Sequence, residues 1–134
     1  EISGYTPCIF QAEIAGGPAY HSNILMALGP QKAIVAGECI QEGKAKVYQA
    51  LQGKQIIEIS REQVLAFAGN ILYLQGAQEI VAVLSERAFQ ELSPEQRKEI
   101  GPCCRLSIPT IEHVGGGSAR CILAEDFSKG IECN

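Results

Sequence analysis

The chain has 134 residues, 46% hydrophobic and 19% charged, with a net charge of −4. That suits one globular domain with its own core. The absence of a basic run or aromatic–basic interleaving argues against a nucleic-acid partner. No stretch approaches the roughly 18–20 apolar residues of a membrane helix, so no membrane partner is expected.

The chain opens Glu1-Ile2-Ser3-Gly4, with neither a signal-peptide pattern nor a starting Met. This reads as processing, or as part of a longer protein. There are six cysteines: Cys8, Cys39, Cys103, Cys104, Cys121 and Cys133. An even count permits a disulfide framework. The irregular spacing and an adequate core favour a reduced, cytoplasmic protein instead, with Cys8, Cys39 and Cys103 or Cys104 as small buried residues.

In chain order, residues 8–10 suggest a strand and residues 16–18 a loop. Residues 23–28 (NILMAL) form an apolar run expected to be a buried strand, turned by Gly29-Pro30 into a second strand over residues 32–37. A helix is expected over about residues 41–52, ended by Gly53, and a third strand over residues 56–59. Ser60 and Gln63 have capping-box spacing and start a helix whose Val64, Leu65 and Phe67 should face inward. A strand at residues 79–84 follows, then helices near residues 85–92 and from Ser93-Pro94 to Gly101-Pro102. A strand at residues 103–107 closes the series.

Residues 23–31 (NILMALGPQ) and 70–78 (NILYLQGAQ) share Asn, Ile, Leu, Gly and Gln in the same order, 47 residues apart. The same offset matches Ile59-Ser60 with Leu106-Ser107. This indicates duplicated ββαβ units, approximately residues 21–68 and 69–115. A third and incomplete unit, 116–134, starts a strand at Cys121-Ile122-Leu123. Repeats related by rotation would bring their strand starts towards a common axis.

The stretch with most chemical promise is residues 115–121 (GGGSARC). Glycines allow close backbone approach, and they deliver a thiol to the expected axis. His21, two residues before the first repeat strand, should face Cys121 across a central pocket. A thiolate nucleophile and an imidazole proton carrier form a recognised catalytic pair. His113 is a loop or supporting residue. Metal ligation by Cys104, His113 and Cys121 is the rival chemistry, but the spacing lacks the close first pair usual for zinc, and no metal or cofactor is expected. GGGS is not a phosphate loop, since the lysine is missing.

GGGSARC at residues 115–121, Tyr20-His21-Ser22-Asn23, and FAGN at residues 67–70 resemble the guanidino-group-modifying enzymes of the pentein superfamily. The likeness runs over about residues 20–127 and is greatest to the citrulline-utilisation hydrolase and amidinotransferase-like branch. It implies a pentein-type α/β propeller. The five-unit ring of the superfamily would need roughly 235 residues, so this chain would supply a partial ring of about three ββαβ units, the C-terminal part.

The resemblance further implies a small guanidino or ureido substrate. Cys121 would be the nucleophile and His21 the acid/base, with Asn23, Asn70, Gly116 and Gly117 binding the substrate. Asn23 stands where several deiminases carry an aspartate, which weakens a deiminase assignment. The acids that hold the guanidinium are expected from an N-terminal part or a second copy, and Glu13 reads as a surface residue. The alternative is a non-catalytic pentein-like binding or oligomerisation module.

Overall fold

The computed structural model describes Gly4 and residues 6–125. Residues 8–10 carry no regular structure, and the first strand, β1 (Gln11–Ile14), begins just after them. It folds back on β2 (Gly17–Pro18). A single 3-10 turn, Ser22–Ile24, precedes β3 (Met26–Leu28), so the apolar run expected as one strand divides into a turn and a short strand. β4 (Lys32–Val35) pairs antiparallel with β3.

β5 (Ile40–Glu42) occupies the start of the expected helix and pairs antiparallel with β1. Gly43, at φ 79°, then turns the chain into α1 (Lys44–Ala50). β6 (Gln55–Glu58) runs parallel to β4. In α2 (Arg61–Leu65) the capping box at Ser60 and Gln63 is formed in both directions, satisfying two orphan donors of the first turn. Val64 points inward as expected, but Leu65 is 48% exposed. Phe67 is half-buried at φ 66°, because the helix ends before it.

The second unit comprises β7 (Leu72–Gln75), β8 (Ile80–Ser85), α3 (Glu86–Glu91), α4 (Pro94–Ile100) and β9 (Cys103–Leu106). Its sheet order, β7-β8-β9, has the antiparallel-then-parallel pattern of β3-β4-β6. The hairpins keep the 47-residue offset: Met26 faces Val35, and Tyr73 faces Ala82. At the parallel strand the offset shrinks to 45, since Val35 partners Glu58 whereas Ala82 partners Cys103. Ile59-Ser60 and Leu106-Ser107 are therefore not equivalent in the sheets. The second crossover is two residues shorter because β8 leads straight into α3 through the cap Ser85.

β4 is buried over Ala33, Ile34 and Val35, and its alternating side chains feed two clusters. Ile34 joins Leu25, Ile57, Ile71, Leu84, Leu92 and Ile100 in the main core between the units. Ala33 and Val35 join Ile40, Val47 and Leu51 under α1. Period-two alternation on a strand covered on both faces gives this division, and each buried Leu or Ile contributes roughly 1.5–3 kcal/mol.

The chain continues through α5 (Pro109–Gly115) and α6 (Ala119–Ile122). His113 is thus helical, not a loop residue. Cys121 lies in one helical turn instead of opening a strand, just as the turn Ser22–Ile24 precedes β3. The remainder of the expected third unit, residues 126–134 with Cys133, lies outside the described residues. All described cysteines are free. Cys39 is buried and Cys103 half-buried, while its neighbour Cys104 is exposed on the opposite face of β9. Cys8 was expected inside but is exposed, since the irregular segment that carries it has no face against a sheet.

Candidate active site

Beyond α2 the chain turns through Phe67 and Gly69. A Cβ at Gly69 would lie 2.3 Å from the Ile24 carbonyl oxygen, so only glycine permits this approach of the two units. The Asn70 N–H donates to the Phe67 carbonyl at 2.9 Å and aims the Asn70 side chain inward, where it is completely buried.

The carboxamide of Asn70 uses its whole hydrogen-bonding capacity. Its Nδ2 donates to the Asn23 carbonyl at 2.9 Å and lies 3.1 Å from the Cys121 Sγ. Its Oδ1 accepts from the backbone N–H groups of Arg120, at 3.0 Å, and Cys121, at 3.3 Å. Backbone N–H groups only donate, so the amide has one orientation. Asn70 was expected to bind substrate. Burial instead commits it to joining the first unit, the second unit and α6.

Asn23 is half-buried and differently employed. Its Nδ2 is 3.8 Å from the Cys121 Sγ. Its Oδ1 is buried without a partner, and the residue lines a groove together with Ser22, Tyr73, Arg120 and Glu125. The thiol of Cys121 therefore has two amide groups beside it, and its residue is exposed.

His21 is exposed at the start of the 3-10 turn, with extended backbone. Its ring meets the Tyr20 ring edge-on, 5.1 Å between centroids. The Tyr20 hydroxyl donates to the Gly116 carbonyl at 3.5 Å. Two links, Tyr20 to Gly116 and Asn23 to Cys121, thus bracket His21 along the seam between segments 20–23 and 116–121. Tyr20 belongs to the segment that carries the family resemblance, but its link to Gly116 is set by the fold.

Gly116 and Gly117 have roles inside the loop. Gly116, at φ 65°, caps α5 in the left-handed region. A Cβ on Gly117 would come within 3.0 Å of the Cys121 Cβ and 3.1 Å of its Sγ, so this glycine leaves room for the thiol. Beneath the loop, the Ser118 hydroxyl donates to the buried Glu112 carboxylate at 2.6 Å. Arg120 pairs with Glu125 at 2.8 Å. The Glu112–Ser118 pair was not legible in the sequence, since it depends on how α5 meets α6.

Burial pushes the thiols of Cys39 and Cys103 up from the ordinary range, with nearby Arg61 and Arg105 respectively opposing it. Such protonated, enclosed thiols are poor nucleophiles. Among the described residues no group of three or more His, Cys, Asp or Glu side chains is placed to hold a metal ion. No described helix is long and apolar enough to cross a membrane.

Mixed sheets of matching ββαβ topology, with helices over them and a cysteine at the seam between units, define part of a pentein-type α/β propeller of the guanidino-modifying superfamily. A family model described as N,N dimethylarginine dimethylhydrolase, eukaryotic, matches residues 1–128, and the chain belongs to that family. The match does not select the citrulline-utilisation or amidinotransferase-like branch. No curated protein and no solved structure matches the chain.

Proposed function

We propose that the chain carries the cysteine-centred part of a hydrolase site for a guanidino compound, with a methylated arginine as the favoured substrate class. The observation that supports this reading is the thiol of the exposed residue Cys121, held beside the amides of two repeat units and next to the segment that carries His21. Membership of a family described by dimethylarginine hydrolysis supplies the substrate class.

In this reading the Cys121 thiolate adds to the central guanidinium carbon. The C–N bond to the methylated nitrogen then breaks, and the departing amine takes a proton from His21. A thiouronium-type adduct on Cys121 remains. His21 next accepts a proton from water, whose oxygen adds to the same carbon, and the C–S bond breaks to release a ureido product and the thiolate. Asn23, which lines the adjoining groove, is the first-unit residue closest to a bound guanidino group. An amine in place of water would make the reaction an amidinotransfer.

Two described acids near the loop are already engaged, Glu125 with Arg120 and Glu112 with Ser118. Further carboxylates for the cation would come from other pentein units or from a second copy of the chain. Free thiols throughout the described residues suit the reducing cytoplasm.

The test is incubation with methylated arginines, arginine, agmatine and citrulline, following released amine or ammonia and any covalent adduct by mass spectrometry. Cys121→Ser should lower turnover by about a thousandfold or more while leaving the fold intact. If the wild-type protein turns over none of these, and behaves like Cys121→Ser throughout, a non-catalytic pentein-like binding module replaces this reading.

A further inference from the structure

We infer that Asn70 is the positioning residue of the Cys121 thiol, fixing the sulfur and its backbone with one side chain. This rests on the reading of Cys121 as the nucleophile. A fully buried asparagine is costly unless its polar atoms are all satisfied, and here every hydrogen and both acceptor positions are used. The division of labour is chemical. Oδ1 gathers the N–H groups of Arg120 and Cys121 and so sets where α6 sits. One Nδ2 hydrogen ties this arrangement to the Asn23 carbonyl in the first unit, and the other points at sulfur.

A hydrogen bond to an ionised acceptor is stronger than one to a neutral acceptor. The donor at 3.1 Å therefore favours the thiolate, the reactive form, over the thiol. Gly117 has no side chain to crowd the sulfur. Asn70 touches no substrate in this arrangement: it acts only through Cys121.

The experiment measures alkylation by iodoacetamide, resolved by peptide mass spectrometry into Cys121 and the exposed Cys104 of the same molecule. Cys104 stands on β9 and is the internal standard. Losing the donor lowers the thiolate fraction, and the higher intrinsic nucleophilicity of the less stabilised thiolate partly compensates. Asn70→Ala should slow Cys121 about threefold at neutral pH relative to Cys104.

Asn70→Asp retains the shape and the Oδ1 acceptor for the two N–H groups while removing the donor. It should slow Cys121 at least as much, even if the alanine variant folds poorly. With a methylated arginine, kcat should fall while KM holds. An unchanged or faster Cys121 overturns the inference, as does a parallel change in both cysteines, which general loosening would produce. If the wild-type protein has no turnover, the functional reading fails, and the alkylation ratio still decides the role of Asn70.

Discussion

Asn23 and Asn70 open two copies of the same supersecondary unit, 47 residues apart, and both approach the same sulfur. Asn70 is fully buried with every polar atom paired. Asn23 is half-buried, with a long contact to sulfur and an orphan carbonyl oxygen beside a groove. The same residue stands at the same place in two sheets of matching order, and its neighbours differ. α6 packs its N–H groups against the second asparagine, while the first leaves its carbonyl oxygen without a partner.

The largest expected effect comes from breaking the joint that brings the two asparagines together. Gly69→Ala places a Cβ against the Ile24 carbonyl oxygen, backbone against side chain with no flexible partner to yield. It should cost about 3 kcal/mol or more, read as a lower midpoint in urea denaturation. Gly17→Ala is the matched control, because its added Cβ meets nothing within 4 Å.

Direct comparison of the two asparagines comes next. Asn70→Ala strands buried groups on Arg120, Cys121 and Asn23, and should lower stability by roughly 2–3 kcal/mol. Asn23→Ala removes one long contact and an unsatisfied oxygen, so stability should stay within about 0.5 kcal/mol while KM for a guanidino substrate rises. Equal stability losses in the two variants would show that the copies share one structural job.

A smaller effect concerns Tyr73, which replaces Met26 at the corresponding hairpin position. Its hydroxyl is buried without a partner. Burial, with a lesser contribution from Cys103, pushes the phenol up to about 12 from 10.0. The folded state thus holds the neutral form while the unfolded chain ionises. Stability is fully present below pH 10.0 and falls as pH rises through about 12. Tyr73→Phe should raise stability at neutral pH by about 1 kcal/mol and flatten this alkaline decline, both measurable by denaturant titration across pH.

The repeat was readable because local patterns record it: the Asn-Ile-Leu openings, the turn glycines and the serine caps are each set by a few neighbouring residues. The caps at Ser60 and Ser93 formed as their spacing indicated. β5 was not readable, since three residues with a distant partner in β1 leave no periodic signal. Cys121 lies in a helical turn and not in the expected strand, because an apolar run does not distinguish a helical turn from a strand.

By itself the sequence determined the repeated strand–strand–helix–strand order, the serine caps, and the candidate residues Cys121, His21, Asn23 and Asn70. The tertiary structure alone decided which asparagine is enclosed, how the thiol is held, and why Gly117 must lack a side chain. Those features depend on contacts between segments about 50 and 100 residues apart. Hydrogen-bond satisfaction in a buried space is a property of the assembled neighbours, which no local pattern encodes.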